Sequence, residues 1–546
     1  MPFAAALRGV TGGAADSTRH DTEFRYISRY ARSRVAVSSV TRDLLLCIDV
    51  GTGSARAALT DARGRVQRIA SRPYDQSVPH FGWAEQASQT WWDGVVSAIR
   101  ELVVGEPALR DRVAAIGACG QMHGTVLVGA DGDPTRSMVP LWNDKRTTAL
   151  VEAFEAAHPV DDYLARSGNP PTPAWPAFKL AWLRENDPIA YDRAVTVLMP
   201  KDYINFRLTG EVAMDRGDAS LSFLMDCGTG EWSTEMAELL SLDVNKLPPL
   251  RSSLDVLGHV TADAARQTGL RPGTPVVVGG ADYPVALLGS GVTRPGLASD
   301  VTGTSCIVTA IVTEPILDPE ICNVATVEGG WGAFVLLETG GDAVRWARRS
   351  LHGGTADYAD IMATAAEAPA GADGLFFLPF LVGQRLGRER NARAQFFGLT
   401  AAHGIAHLDR ALVEGVSFAA ARALRTMERA SGARIERVVA ASGGAKAPLW
   451  LEIKASAYGV PILVPTEPEC GIVGSAAIVA TALQIYGSLA EAVETCVVFE
   501  REVSPNPAWR DRYARMQPIF DRLYERSRPL YADLDELAAL DSSATT

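Results

Sequence analysis

The chain has 546 residues, 47% of them apolar and 21% charged, with a formal charge of −12 at neutral pH. That length supplies two or three domains with large cores, and the acidic balance excludes a polyanionic partner such as nucleic acid. No apolar run reaches the length of a membrane span. The seven cysteines are scattered, odd in number and without Cys-x-x-Cys spacing, which excludes a disulfide framework and a zinc site and fits a reducing, cytoplasmic setting.

In chain order, residues 1–42 are rich in Ala, Arg, Ser and Gly and lack the apolar core of a signal peptide. They read as a flexible N-terminal extension or as sequence upstream of the true start; a mitochondrial-type presequence is the alternative, because Arg outnumbers acid there. Residues 44–50 form a buried strand run, continued as a meander by 54–60, a turn at 61–64, and 66–71. A helix is expected over 89–104, with Trp91 and Trp92 near its start, then a strand over 113–118 ending at Gly120. Residues 180–183 and 203–208 sit in helical patterns, the latter stopped by Gly210. Residues 275–279 are a buried strand running into Gly280-Ala281-Asp282. A second half opens near Arg294, with strands in 298–312, 333–337, 376–380, 438–441 and 462–464, and helices over 342–351, 408–429, 448–458 and 472–483. An Arg- and Gly-rich loop spans 382–394, and a frayed tail closes the chain after 531. Alternating strands and helices predict α/β layers.

Two turns stand out. Ile48-Asp49-Val50-Gly51-Thr52-Gly53-Ser54 and Asp300-Val301-Thr302-Gly303-Thr304-Ser305 each join two apolar runs through small residues. Each is a β-hairpin whose glycines admit a phosphate close to the backbone and whose hydroxyls donate to it. An acid beside such a cradle suits a hydrated magnesium ion. One copy alone is an ordinary turn; two copies in one chain predict two similar domains gripping a nucleotide. Neither copy has the Gly-Lys-Ser/Thr ending of a P-loop or the three spaced glycines of a dinucleotide fold. Asp282, after a strand and two glycines, is placed either as a proton acceptor on a cleft wall or as a helix N-cap.

Several further stretches occur in a fixed order: Gly120-Gln121-Met122-His123-Gly124, Leu141-Trp142-Asn143-Asp144, Lys179-Leu180-Ala181-Trp182-Leu183, Pro200-Lys201-Asp202-Tyr203, Gly279-Gly280-Ala281-Asp282, Phe397-Gly398-Leu399 before Leu412-Val413-Glu414-Gly415-Val416, and Ser442-Gly443-Gly444-Ala445-Lys446. Together they resemble the FGGY family of carbohydrate kinases, xylulokinase-like members above all, over about residues 43–530. The resemblance implies two actin-like (ribonuclease H-like) α/β domains around a central cleft. These are a sugar-binding N-terminal domain over 43–293 and an ATP-binding C-terminal domain over 294–530, with a flexible tail over 531–546.

The resemblance further implies transfer of the ATP γ-phosphate to a sugar hydroxyl with Mg²⁺. Asp49 and Asp282 become the metal-organising carboxylates and Asp282 also the general base. Thr52, Gly53 and Ser54 form the first phosphate hairpin and Gly303, Thr304 and Ser305 the second. Gly443, Gly444 and Ala445 form the adenosine turn. Met122, His123, Asp282, Tyr283 and Trp83 line the sugar pocket. Asp144, Lys201 and Asp202 are expected to be structural charge pairs. Small-molecule sugar and ATP are the expected partners, with a second copy of the chain as a candidate.

The chain also departs from the pattern. Tyr283 stands where family members carry Asn after the base, Cys306 where Gly follows Gly-Thr-Ser, and residues 168–176 hold four prolines. The implied reading is a pentulose kinase with D-xylulose first. The alternatives are another ketose or polyol such as ribulose or a tetritol, or a silent sugar-sensing homologue.

Overall fold

The computed structural model describes residues 42–384 and 390–543. The N-terminal extension and part of the Arg/Gly loop lie outside the described residues. The first sheet begins with β1 (Leu44–Val50), buried at all seven positions. β2 (Ser54–Thr60) and β3 (Val66–Pro73) pair antiparallel on one side of it. β4 (Val113–Gly120) pairs parallel on the other side. β5 (Val256–His259), β6 (Pro275–Val277) and the short β7 (Gly280–Ala281) complete the order β5-β6-β4-β1-β2-β3, with β7 on β4. The second sheet repeats this plan. β8 (Leu297–Thr302) and β9 (Cys306–Val312) form a hairpin, and β9 pairs with β11 (Trp331–Leu337), which carries β10 (Cys322–Ala325) at the edge. On the far side, β12 (Arg437–Ala441) and β13 (Ile462–Pro465) run parallel to β8, and β14 (Phe499–Val503) closes the order β10-β11-β9-β8-β12-β13-β14. Central strands of such sheets read as unbroken apolar runs because helices cover both faces, which is why 44–50 and 276–279 were legible.

The helices used below are α1 (Ser88–Val103), α2 (Pro176–Asn186), α3 (Pro200–Thr209), α4 (Asp282–Gly289), α5 (Asp342–Ser350), α6 (Ile405–Ser431), α7 (Pro448–Tyr458), α8 (Cys470–Ala482), α9 (Leu489–Cys496) and α10 (Pro507–Ser543). α1 buries Trp91, Trp92, Val95, Ile99 and Leu102 against Ile48, Ala57 and Leu59 of the first sheet. The 27-residue α6 serves the second half the same way, with Ala420, Leu424 and Met427 against Val308, Val438 and Ala440.

Two expectations change. The boundary near 293 separates the two sheets but not the helices. α8 and α9 lie within 294–530, yet Ile472, Val473, Ala476 and Val479 of α8 and Val493 and Cys496 of α9 share a core with Leu45, Cys47, Ala115 and Val277 of the first sheet. Helical spacing says that a face is buried, not which sheet buries it. α8 also meets α4 backbone to backbone. A Cβ at Gly289 would stand 1.9 Å from the Cys470 carbonyl oxygen, and one at Gly474 2.0 Å from that of Val285. The expected flexible tail over 531–546 is the second change, because α10 continues to Ser543, the last described residue. Tyr531 is buried and Asp535 accepts from Asn391 Nδ2 at 2.6 Å and pairs with Arg393. Polar end composition hid these anchors, which come from the loop some 140 positions earlier.

Candidate active site

The two sheets face one another across a cleft of about 730 Å³. From the first hairpin it is lined by Asp49, Gly51 and Arg56. Gly51 N donates to Ser54 O (3.0 Å) to close the turn, Tyr74 Oη holds Gly51 O (2.7 Å), and Gln86 Nε2 holds Thr52 O (2.7 Å). The Thr52 hydroxyl is committed to the wall, donating to Gln121 Oε1 and accepting from Trp142 Nε1, each at 3.0 Å. Thr52, Gly53 and Ser54 fall outside the cleft lining. Asp49 Oδ2 lies 2.6 Å from Arg56 Nη2, and the other arm of Arg56 meets Glu469 just before α8. Burial pushes the Asp49 carboxyl up, and the Arg56 guanidinium opposes that shift.

Asp282 opens α4. Gly279 (φ +67°) makes the turn before it, and a Cβ there would stand 2.0 Å from the Ala118 carbonyl oxygen, so only glycine fits. Ala281 takes the N-cap place, so Asp282 is in the first helical turn rather than capping it. Its carboxyl lines the cleft and is pushed up to about 7, by burial first and the charge of Asp49 second. Beneath this turn Lys201 Nζ sits 2.5 Å from Asp202 and 2.7 Å from Asp215, and Asp215 Oδ2 accepts from Gly217 N and Ala281 N. Asp202, Asp215 and Asp218 are close enough together for a metal. Lys201 already supplies the positive charge there, so the cluster is structural, as expected for Lys201 and Asp202. Asp144 is structural too, pairing with Arg146 at 2.7 Å and accepting from Ala84 N.

Met122 and His123 line the cleft beside Asp282. His123 is held at φ +69°, costly for a residue with a Cβ. Its carbonyl accepts from Lys179 Nζ of α2 at 2.9 Å and from Thr125 Oγ1 at 3.2 Å, and its ring meets Trp175 edge-on at 5.0 Å. Burial pushes the Lys179 amine down to about 7, with Asp144 opposing. Tyr283 also lines the cleft, but its hydroxyl is bonded to Thr309 of β9 and its ring meets Phe334 of β11 at 5.7 Å. Trp83 is a correction. It is outside the lining and is packed under the Arg146 guanidinium (3.7 Å), with His80 and Trp182 at its edges. Arg146, itself fixed by Glu85 and Asp144, claims that ring. Trp142 and Trp175 are the aromatic wall instead.

Across the cleft, Thr304 and Ser305 line it from the second hairpin, while Gly303 is outside the lining. Gly303 N donates to Ser305 O, and the Gly340-Gly341 pair before α5 clasps the turn by donating to Thr304 O (2.9 Å) and Gly303 O (2.8 Å). Asp300 does not mirror Asp49. Lys454 of α7 at 2.7 Å and Tyr458 at 2.5 Å enclose it; burial alone would raise its carboxyl, but Lys454 holds it below the usual range. Ala441 and Ser442 line the cleft just before the Gly443-Gly444-Ala445 turn, with Ser442 at φ +69°. Gly443, Gly444 and Ala445 follow as a short 3₁₀ turn outside the lining.

Oxygen donors suit magnesium, and Asp49 and Asp282 bring two carboxylates to one cleft wall, so the donor set fits that ion. Arg56, Glu469, Gly471, Trp142, Trp175 and Gly340-Gly341 are site residues that the sequence reading did not single out. Arg56 carried a signal, a lone charge inside the apolar run Ala55-Arg56-Ala57-Ala58-Leu59.

Residues 44–289 match the FGGY family of carbohydrate kinases, N-terminal domain, and residues 298–483 match its C-terminal domain. The xylulose kinase of Escherichia coli (strain K12) is 30% identical over 495 residues, covering 89% of this chain and 99% of that protein. The autoinducer-2 kinase of Yersinia enterocolitica serotype O:8 is 29% identical over 530 residues, covering 93% and 98%. The crystal structure of xylulose kinase from Rhodospirillum rubrum superimposes with a TM-score of 0.83 at 30% identity, covering 90% of this chain and all of that one.

Proposed function

The chain belongs to the FGGY family of carbohydrate kinases as a xylulokinase-like enzyme, and from that membership we propose that it transfers the γ-phosphate of ATP to a hydroxyl of a pentulose, D-xylulose first, giving xylulose 5-phosphate. The observation that carries the reading is Asp282: a half-buried carboxyl pushed up to about 7, on the cleft wall with Met122 and His123, with a phosphate-type hairpin on either side. Phosphoryl transfer asks for in-line positioning, charge neutralisation and an acceptor for the hydroxyl proton. Asp282 takes that proton as the sugar oxygen bonds to the γ-phosphorus and the β–γ bridging bond breaks, releasing ADP. Asp49 and Asp282 are the residues that would hold magnesium, which neutralises the phosphate charge when bound. Arg56, tied to Asp49 and Glu469, keeps that carboxylate oriented and brings a fixed positive charge to the same wall. Thr304 and Ser305 support the phosphates from the opposite lobe, and Ser442 with the Gly443-Gly444-Ala445 turn supports the adenosine.

His123, fixed by Lys179, is proposed to bond the sugar, and Met122, Trp142 and Trp175 to shape its pocket. Another ketose or polyol, such as ribulose or a tetritol, is the second reading. Tyr283 favours it, because its engaged hydroxyl cannot replace the amide expected there. No helix of the described residues is long and apolar enough to cross a membrane; a cytoplasmic enzyme, with a homodimer as its candidate assembly, completes the proposal. Coupled ADP release across D-xylulose, D-ribulose, erythritol and autoinducer-2 tests it. Turnover highest with D-xylulose supports the first reading, highest with another acceptor the second, and none with any acceptor refutes both.

A further inference from the structure

The first half and the second sheet are joined by buried polar contacts. Asn169 Nδ2 donates to Asn323 O (3.0 Å), Asn323 N donates to Asn169 Oδ1 (2.8 Å), and Ala325 N donates to Ser220 Oγ (2.9 Å), all on the edge strand β10. One further contact lies next to the reaction. Tyr283 directly follows Asp282, and its hydroxyl meets Thr309 Oγ1 in the middle of β9. β9 is the strand that leaves the Gly303–Ser305 turn. Thr309 is wholly buried, and the Tyr283 ring lies against Phe334, the residue opposite Thr309 in the β9–β11 register.

Resting on the kinase reading above, we infer that Tyr283 and Thr309 are a positioning pair that sets the spacing between Asp282 and the second phosphate hairpin. Both ends of the bond are short, stiff connections. On one side a single peptide unit at the start of α4 separates Tyr283 from Asp282. On the other, a fully paired strand carries Thr309 back to Ser305. A strand transmits displacement along its length because its ladder bonds fix it on both edges. Each hydroxyl satisfies the other at a part-buried contact whose Thr309 end is wholly buried, so the bond resists breaking. Asn, the residue that the family resemblance leads one to expect at 283, is too short to make this contact, so the tie is a property of this chain's Tyr. The proton acceptor sits on one lobe and the γ-phosphate support on the other, so the pair acts on their separation, the quantity that in-line transfer depends on most steeply.

The test uses the full-length enzyme and its best acceptor. Tyr283→Phe keeps the ring on Phe334 and removes only the hydroxyl, and Thr309→Val removes its partner. Each single variant is expected to lower kcat by about 10- to 100-fold, with KM for acceptor and for ATP held within about twofold and the melting temperature lowered by no more than about a few degrees, the cost of the stranded hydroxyl. The double variant should be no slower than the slower single one, and Thr309→Ser should restore most of the rate. Single variants with kcat within twofold of wild type would overturn the inference. So would a loss confined to acceptor KM, which makes Tyr283 a sugar contact, or fully additive losses, which make the two hydroxyls independent. A wild-type enzyme that phosphorylates no carbohydrate removes the kinase reading, and this pair's role with it, so the two failures are told apart.

Discussion

If Asp282 accepts the acceptor's proton, the pH profile should report it. An ordinary aspartate titrates at 3.8; burial and the neighbouring Asp49 push Asp282 up to about 7. The base works only when ionised, so raising its pKa moves the acid limb of kcat/KM upward. Each pH unit below the pKa lowers the ionised fraction about tenfold, so kcat/KM for the sugar should fall roughly thirtyfold between pH 8 and pH 5.5. An unshifted carboxyl would leave it flat over that range. ADP release measured at saturating magnesium-ATP and subsaturating sugar gives the profile. Asp282→Asn should lose about 10²- to 10⁴-fold and show no limb in what remains. Asp49→Asn removes the second cause of the shift, so its surviving activity should show the limb at lower pH. A wild-type profile flat to pH 5.5, or an Asp282→Asn variant with the wild-type limb, would refute the assignment.

Lys179 bears on stability. Its amine is near 7 folded against 10.5 unfolded, so the cost of burying its charge is complete below pH 7 and fades between pH 7 and 10.5. The stability difference between Lys179→Met and wild type, from urea unfolding, should therefore shift toward wild type by up to about 1.4 kcal/mol per unit as pH rises from 7 to 9.5; a pH-independent difference would argue against the depressed amine. Lys454→Met strands the buried Asp300 carboxylate and should cost about 3–5 kcal/mol. Adding Asp300→Asn should recover part of it, and no recovery would mean that the pair is not what holds the β8–α7 contact. Gly289→Ala pushes a methyl into the Cys470 carbonyl and should cost about 1–3 kcal/mol; an unchanged melting temperature would show that α4 and α8 have room to part.

What could be read from the chain was what is local. Gly51-Thr52-Gly53 and Gly303-Thr304-Ser305 announce tight turns wherever they fold, and the strand-Gly-Gly-Ala-Asp run leading to Asp282 announces a residue delivered to a strand end. What was hidden depends on partners far along the chain. Asp49 and Asp300 have similar local sequences, yet one meets Arg56, which itself reaches Glu469, in the cleft, while the other is enclosed by Lys454 and Tyr458, more than 150 positions on. Trp83 and Trp142 each sit in a short segment of mixed apolar and polar residues. Only the placement of Arg146 over Trp83, and of Thr52 against the Trp142 indole, decides which one faces the cleft. The tie from Tyr283 to Thr309 joins two lobes, and no periodicity spans them.

The return of α8 and α9 to the first sheet bears on how the molecule is made. A ribosome that has released residues 42–293 has delivered every strand of that sheet, but Leu45, Cys47, Ala115 and Val277 still face water until residues 470–496 emerge. At about 5–20 residues per second that wait lasts on the order of ten seconds or more. Through it the earlier half keeps a naked apolar flank available to chaperones or to a neighbouring nascent copy. Expressed alone, residues 42–293 should be insoluble, and a separately supplied peptide of residues 468–497 should rescue them. The doubled hairpin therefore marks a repeated plan, while the unit that becomes stable is the whole chain.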